Sequence, residues 1–152
     1  MFSPEILEPT VDFLASLAGD GPALEFAIGT GRVAIPLAER GVPVSGIELS
    51  EPMVDQLRRK TCALDIPVEV GDMATTVVAN EYALVYLVFT TIGNPRTQEE
   101  QVDCFRNAAR HLAPGGHFVI ELGVPTLRRF PRARVPCLSR SAPSTPAWTP
   151  TT

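Results

Sequence analysis

The sequence has too few cysteines, placed too far apart, for a disulfide framework or a cysteine-rich metal site. Its three cysteines are Cys62, Cys104 and Cys137, and no two of them form a C-x-x-C pair. It also lacks any apolar run near the roughly 20 residues that span a bilayer, and its first residues show no basic segment followed by an apolar one. We therefore expect a soluble cytoplasmic protein with no metal site and no membrane association.

Positive charge is scarce over most of the chain. The 13 lysines and arginines stand against 17 acids, and a net charge of −4 gives no electrostatic reason to expect nucleic-acid binding. The last acid is Glu121, and the residues beyond it include five arginines and six prolines but no Asp or Glu. This shift predicts an ordered domain over residues 1–124 and an irregular or disordered tail over residues 125–152, rich in Pro, Arg, Ser and Thr.

Short apolar runs alternate with helical patterns before that shift. Apolar runs predict strands over residues 23–26, 42–47, 66–70 and 82–89, and from 117 onwards. Helical spacing predicts helices over residues 3–17, 31–40 and 97–112, and from 50 onwards. An apolar fraction of 45% in 152 residues is enough for one globular domain with its own core. The alternation is typical of an α/β fold.

The helix predicted over residues 97–112 carries the clearest local signals. Thr97 and Glu100 form a capping box at its start. Apolar residues at helical spacing predict its buried stripe, namely Val102, Phe105, Ala109 and Leu112. The run Pro114-Gly115-Gly116 then predicts a turn that leads into the fifth strand.

A loop of small residues joins the first predicted strand to the next helix. In the stretch A-L-E-F-A-I-G-T-G-R, residues 23–32, the loop has Ala27, Gly29 and Gly31 at alternate positions. Small residues let the backbone approach a ligand, and a helix N-terminus attracts anionic groups. The pattern favours a nucleotide-like ligand. A dinucleotide fingerprint completed by Ala34 and a turn that binds nothing are the alternatives.

Together with Glu25, this loop reads E-x-A-x-G-x-G and resembles motif I of the class I S-adenosylmethionine (SAM)-dependent methyltransferases, usually written E/D-x-G-x-G-x-G. Ala27 stands where the family has its first glycine, and we expect this change to be tolerated. The run from Glu48 to Met53, E-L-S-E-P-M, resembles the family's D/E-x-S-x-x-M pattern. The resemblance extends over about residues 14–129.

The resemblance implies a cofactor site at the carboxyl ends of strands one, two and four. Glu48 is expected to accept hydrogen bonds from both ribose hydroxyls, and Met53 to lie against the adenine ring or to pack in the core. Asp72 would accept a hydrogen bond from the adenine amino group, and the backbone of Met73 would contact a ring nitrogen. The expected cofactor-binding residues are Glu25, Ala27, Gly29, Gly31, Glu48, Leu49, Met53, Gly71, Asp72, Met73 and Val88.

The resemblance also implies the fold, a doubly wound, mostly parallel sheet of order 3-2-1-4-5 with helices on both faces. A complete domain of this family continues with strands six and seven, which no pattern after residue 129 matches. We expect a chain truncated after strand five, through a frame-shifted or shortened reading of a gene or as a natural short variant. The exposed edge of strand five would then favour a homodimer or aggregation.

The activity implied by the resemblance is transfer of a methyl group from SAM to an O, N or C nucleophile of a small-molecule substrate, which leaves S-adenosylhomocysteine (SAH). No catalytic base can be named, because the loop after the fourth strand begins with Thr90 and Thr91. The alternatives are a SAM-binding remnant without activity and an NAD-dependent oxidoreductase. Arg32 is placed either to reach the carboxylate of the ligand or to stay in solvent, and we expect structural roles for His111 and His117.

Overall fold

The computed structural model describes residues 4–61 and 64–123 of the 152-residue chain. Its helices are α1 (Pro4–Ala18), α2 (Ala34–Glu39), α3 (Glu51–Lys60) and α4 (Gln98–His111), with a short 3-10 helix at Thr91–Gly93. Its strands are β1 (Ala23–Phe26), β2 (Val44–Glu48), β3 (Val68–Val70), β4 (Tyr82–Leu87) and β5 (Leu112–Ile120). The predicted tail lies outside the described residues.

The five strands form one sheet in the order β3-β2-β1-β4-β5, which confirms the predicted order. Each pair of neighbouring strands in this sheet is parallel. Parallel neighbours need long crossover connections, and all of the carboxyl ends therefore point to one edge. The order reverses between β1 and β4, so the loops that follow these two strands diverge and leave a crevice at that edge.

Helices cover both faces of the sheet, as predicted. Residues of α1, α2 and α3 pack in one apolar cluster that includes Leu14, Leu37 and Leu57. Residues of α4 pack in a second cluster on the other face, with Cys104 and Ala108 against Phe26 of β1. The central strands are buried on both sides, which explains why their sequences are apolar runs and not alternating patterns.

Two elements, α2 and β4, are shorter in the structure than the sequence predicts. Helix α2 begins at Ala34 and not at Gly31, because Gly31 has a φ of +77° and cannot belong to a right-handed helix. Strand β4 ends at Leu87, two residues early, because Phe89 and Thr90 have φ values of 59° and 60°. The left-handed turn at residues 89–90 takes the chain away from β4, and the one at Gly31 precedes the start of α2.

The predicted buried stripe of α4 is wrong at three of its four residues, whereas the fourth, Leu112, packs against the second cluster from the start of β5. Val102 and Phe105 are 40% and 50% exposed, and Ala109 is exposed as well. The buried residues of this helix are Cys104, Asn107, Ala108 and His111. Two of these are polar and bind the backbone of the loop after β3, so hydrogen bonding as well as apolar character determines which face of the helix turns to the sheet. Thr97 and Glu100 form the capping box, as predicted.

The predicted turn at Pro114-Gly115-Gly116 is a bulge inside β5. Leu112 lies opposite Tyr82 and His117 lies opposite Leu84, and the residues between them loop out of register. A Cβ on Gly116 would lie 3.0 Å from three backbone carbonyl oxygens, a tighter contact than most side chains make, which favours glycine there. The edge of β5 that faces away from β4 pairs with no strand within residues 4–61 and 64–123.

Candidate functional site

A cavity of about 910 Å³ opens at the edge of the sheet where the strands end. Its wall is formed by the residues that follow β1, β2, β3 and β4, together with the first turn of α4. Its volume lies within the roughly 300–1,000 Å³ of small-molecule sites. Eight residues expected to bind the cofactor line it, namely Ala27, Gly29, Glu48, Leu49, Met53, Gly71, Asp72 and Met73.

The loop after β1 brings its backbone to this wall by turning left-handed. Ala27 and Gly29 both line the cavity and have φ values of 53° and 59°. A left-handed φ costs an L-residue roughly 1–2 kcal/mol and costs glycine little. This explains why the motif has glycine at the position of Ala27, and it shows that alanine adopts the same backbone turn here.

Glu48 has a carboxylate that two backbone amides hold in place. Gly29 N–H donates to Oε2 over 2.8 Å, and Ser50 N–H donates to Oε1 over 2.9 Å. Each carboxylate oxygen keeps a further lone pair, so Glu48 can accept two more hydrogen bonds from a ligand in the cavity. Ser50 precedes α3 as expected, but its side chain makes no cap hydrogen bond.

Two large apolar side chains stand exposed on the rim of the cavity. Leu49 is 70% exposed and Met53 is 44% exposed, although both follow a buried strand. Met53 therefore belongs to the cavity wall and not to the core. Exposed apolar side chains beside a polar carboxylate form a wall suited to a ligand with a flat ring and a hydroxylated part.

The loop after β3 is a tight turn tied to β2. Gly71 N–H donates to the backbone oxygen of Glu48 over 2.9 Å, and a Cβ on Gly71 would collide with the side chain of Thr76. The carboxylate of Asp72 accepts from Ala74 N–H over 2.8 Å, and the carbonyl of Asp72 accepts from Thr76 N–H over 2.8 Å. These bonds fix Asp72 and the following residue, Met73, at the cavity wall.

Two buried polar residues of α4 hold this loop from behind. Asn107 Nδ2 donates to the carbonyl oxygens of Met73 and Thr76, over 2.9 and 2.7 Å. His111 Nε2 accepts from Val78 N–H over 2.9 Å, and its Nδ1 lies 2.7 Å from the carbonyl oxygen of Asn107. His111 thus joins the loop to the backbone of α4, which agrees with the structural role expected for it.

Three of the expected cofactor-binding residues do not line the cavity. A Cβ on Gly31 would collide with Leu57, so this glycine lets α3 pack against the loop. Val88 is buried and lines a separate groove of about 340 Å³ between α1 and the ends of β4 and β5. The third is Glu25, which points into the core beneath the loop.

Glu25 is enclosed by β4 and α2. Only 3% of its surface is exposed, and Tyr86 Oη donates to its Oε2 over 2.9 Å. Burial raises the pKa of Glu25 to about 8, while hydrogen bonds from Tyr86 and from the backbone of Ala34 oppose that rise. The acid of the motif therefore supports the loop from inside the fold.

Sequence reasoning missed the side of the cavity that lies after β4. Asn94, Pro95, Arg96 and Glu100 line it. The Glu100 carboxylate accepts from Arg96 N–H over 2.6 Å, which closes the loop onto the first turn of α4. A signal was present: a helix that follows a parallel strand begins at the carboxyl edge, so the capping box already placed Glu100 beside the site.

A strained turn borders the site between β4 and the short 3-10 helix. Phe89 and Thr90 are consecutive non-glycine residues with left-handed φ values, a conformation that clusters at functional sites. Glu121 accepts from Phe89 N–H over 2.9 Å, and the guanidinium of Arg32 lies 4.7 Å from the centre of the Phe89 ring. Arg32 therefore contacts this aromatic ring and does not line the cavity.

The described part of the chain contains neither a metal site nor a membrane-spanning helix. Within residues 4–61 and 64–123, no group of three or more His, Cys, Asp and Glu side chains is arranged to hold a metal ion. None of the helices in the same ranges combines the length and apolar character needed to cross a membrane.

Comparison with known proteins points to one family. A family model described as a methyltransferase domain matches residues 23–116. The chain is 29% identical over 133 residues to the cypemycin N-terminal methyltransferase of a Streptomyces species, covering 84% of this chain and 54% of that protein. It is 31% identical over 98 residues to a dTDP-3-amino-3,4,6-trideoxy-alpha-D-glucopyranose N,N-dimethyltransferase of Streptomyces venezuelae, covering 64% and 40% of the two chains.

A solved structure is also similar. The CcbJ methyltransferase from Streptomyces caelestis is 41% identical, with a TM-score of 0.72, and the match covers 77% of this chain and 49% of that one. The chain therefore spans about half the length of the cypemycin and CcbJ methyltransferases.

Proposed function

Because the chain belongs to the class I SAM-dependent methyltransferases, with residues 23–116 matching the methyltransferase domain, we propose that it binds SAM in the cavity at the carboxyl edge of the sheet. The observation that carries this proposal is the Glu48 carboxylate, which Gly29 and Ser50 hold in place at the cavity wall. Each of its oxygens is able to accept one further hydrogen bond, which suits the two adjacent hydroxyls of a ribose.

The residues around Glu48 fit the remaining parts of the cofactor. Met53 and Leu49 present exposed apolar surface for one face of the adenine ring. Asp72 and the backbone of Met73 lie on the next loop and would bind the polar edge of that ring. The left-handed loop through Ala27 and Gly29 leaves room for the amino-acid part.

We infer that the reaction is methylation of a nitrogen on a small molecule. When bound, SAM supplies an electrophilic methyl carbon on a sulfonium, open to in-line attack by a nucleophile. The chain's own contribution is to orient the two reactants and to exclude water. The choice of nitrogen is supported by two relatives, whose names describe N-terminal methylation and N,N-dimethylation of an amino sugar nucleotide.

The acceptor would lie on the side of the cavity formed after β4. Asn94 and Arg96 line that side, and Glu100 joins it to α4. The strained turn at residues 89–90 precedes this part of the wall, and we place the acceptor there.

Calorimetric titration with SAH tests the cofactor proposal. We expect wild type to bind SAH and Glu48→Ala to bind it at least about tenfold more weakly, because hydrogen bonds to a charged group contribute about 1.5–3 kcal/mol. Glu51→Ala is the matched control, since Glu51 is an exposed acid three residues away on α3. Equal affinity of wild type and Glu48→Ala, or a preference for NADH over SAH, would contradict the proposal.

Methyl transfer is tested separately with radiolabelled SAM and a panel of amines. We expect label to appear in amino sugars or peptide N-termini and not in matched alcohols. Binding of SAH without transfer to any acceptor would favour the alternative of a SAM-binding remnant.

A further inference from the structure

Asn107 is a buried polar residue in the middle of α4 for which the cofactor motifs assign no role. It is fully buried, at 0% exposure, and it faces the sheet between apolar residues of the second cluster. Its side-chain amide donates both of its N–H groups, to the carbonyl oxygens of Met73 and Thr76. Its Oδ1 has no hydrogen-bond partner among the residues that the structure describes. The hydrogen bonds that Asn107 makes through its side chain are therefore the two that its amide group donates.

Both acceptors belong to the turn that carries Asp72. Met73 lies on the cavity wall next to Asp72, whereas Thr76 lies behind it and bonds through its N–H to the Asp72 carbonyl. One rigid amide group therefore joins the front and the back of this turn. Because the turn is closed on itself by Asp72 and held from behind by Asn107, its orientation relative to the cavity depends on α4.

His111 provides a comparison on the same helix. It is also buried and also binds the loop, but at Val78, which does not line the cavity. Removal of either side chain costs a buried hydrogen bond between α4 and the loop. Of these two side chains, only that of Asn107 forms a hydrogen bond with the backbone of Met73, the neighbour of Asp72.

We propose that Asn107 is a positioning residue for base recognition: it holds the turn at residues 72–76 so that Asp72 and the Met73 backbone meet the polar edge of the adenine ring. The proposal rests on the proposed function, since it concerns the same cofactor site. It predicts that loss of the two donors weakens discrimination between bases more than it weakens binding of the ribose, which Glu48 holds from another strand.

The test is the ratio of the affinities for two ligands. SAH carries the adenine amino group and an accepting N1, whereas S-inosylhomocysteine has a carbonyl oxygen and an N1–H in their places and is otherwise the same. We expect wild type to prefer SAH by about tenfold or more, because a site built to accept an N–H group leaves its own polar atoms unpaired with the analogue. In Asn107→Leu, which keeps the branched shape of the side chain but is larger and removes both donors, we expect the preference to fall to about threefold or less.

His111→Leu is the matched control. It removes the buried hydrogen bond from Val78 to His111 and also the contact of Nδ1 with the Asn107 carbonyl within the helix. Its melting temperature should therefore fall, but its preference for SAH should stay within about twofold of that of wild type. A loss of stability alone would lower both affinities together and leave the ratio unchanged. The ratio therefore separates positioning of the turn from a general structural role.

The outcomes distinguish the two proposals. Wild type that does not bind SAH contradicts the proposed function. If wild type prefers SAH and Asn107→Leu has the same ratio of affinities, the role of Asn107 is overturned and the proposed function is left intact. If Asn107→Leu does not fold, Asn107→Ser takes its place, because serine is smaller and donates one hydrogen bond at most. An unchanged ratio in Asn107→Ser overturns the role of Asn107 in the same way.

Discussion

Glu25 and Glu48 lie near the carboxyl ends of neighbouring strands and have opposite surroundings. Glu48 faces the cavity, where backbone amides bind both of its oxygens. Glu25 faces the core, where Tyr86 donates one hydrogen bond to it and burial raises its pKa to about 8. A carboxyl group in an apolar site is favoured in its neutral form. Glu25 is therefore protonated over most of the pH range below 8 and connects β1 to β4.

The raised pKa of Glu25 predicts a specific dependence of stability on pH. Between its ordinary value of 4.5 and its folded value of about 8, the folded state keeps a proton that the unfolded state has released. The free energy of unfolding should therefore fall as the pH rises through this range. In Glu25→Gln, which has no proton to lose, this part of the slope should disappear.

Thermal unfolding measured at several pH values between 5 and 8 checks this prediction. Glu39→Gln is the control, because Glu39 is an exposed acid at the end of α2, and it should keep the slope of wild type. Equal slopes in wild type and in Glu25→Gln would show that Glu25 does not carry the effect.

At the scale of the element, α4 connects the two loops that line the cavity on the side of β3 and β4. Its first turn binds the loop after β4 through Glu100, and Gln101 Nε2 donates to the carbonyl of Ile92 over 3.2 Å. Its second half binds the loop after β3 through Asn107 and His111. The helix thus holds both loops in one arrangement, and its stability affects both sides of the site.

The capping box of α4 predicts a measurable loss of stability on removal. Thr97 Oγ1 accepts from Glu100 N–H over 3.1 Å, and the Glu100 carboxylate accepts from Thr97 N–H over 3.3 Å. We expect Thr97→Ala to lower the free energy of unfolding by about 1 kcal/mol in urea. Thr97→Ser keeps the hydroxyl, and its free energy of unfolding should stay within a few tenths of a kcal/mol of that of wild type. A loss of the same size in both variants would mean that the cap is not the cause.

At the scale of the whole molecule, β5 is an edge strand of the sheet that residues 4–61 and 64–123 form. One edge of β5 pairs with β4, and the other pairs with no strand among residues 4–61 and 64–123. An unpaired edge presents N–H and C=O groups that a second chain is able to bind. We propose, as expected from the sequence, that the 152-residue chain associates with a second copy through this edge. A cytoplasmic location likewise stays a prediction.

Light scattering at several concentrations tests this association. We expect the mean mass of the 152-residue chain to rise with concentration, and His117→Lys to reduce that rise, because a charge at an exposed position of the edge strand opposes pairing. Gln56→Lys adds the same charge on the exposed face of α3 and should behave as wild type does. A monodisperse monomer at all concentrations would contradict the proposal.

The local order of elements and the core of the cofactor motif were readable from the sequence. The alternation of apolar runs and helical patterns, together with the family resemblance, predicted the sheet order that the structure shows. Parallel strands with helical crossovers bring every carboxyl end to one edge. This is why residues as far apart in the chain as Gly29, Glu48 and Asp72 line one cavity.

Only the tertiary structure decided which way particular side chains face. Glu25 lies in a motif but points into the core, because Tyr86 from β4 and the start of α2 enclose it. Asn107 and His111 turn inward because they form hydrogen bonds with the loop after β3. That loop lies more than thirty residues earlier in the chain. The sequence by itself determined the positions that line the edge of the sheet. The orientation of the groups behind that edge depended on contacts between distant segments, which no local pattern records.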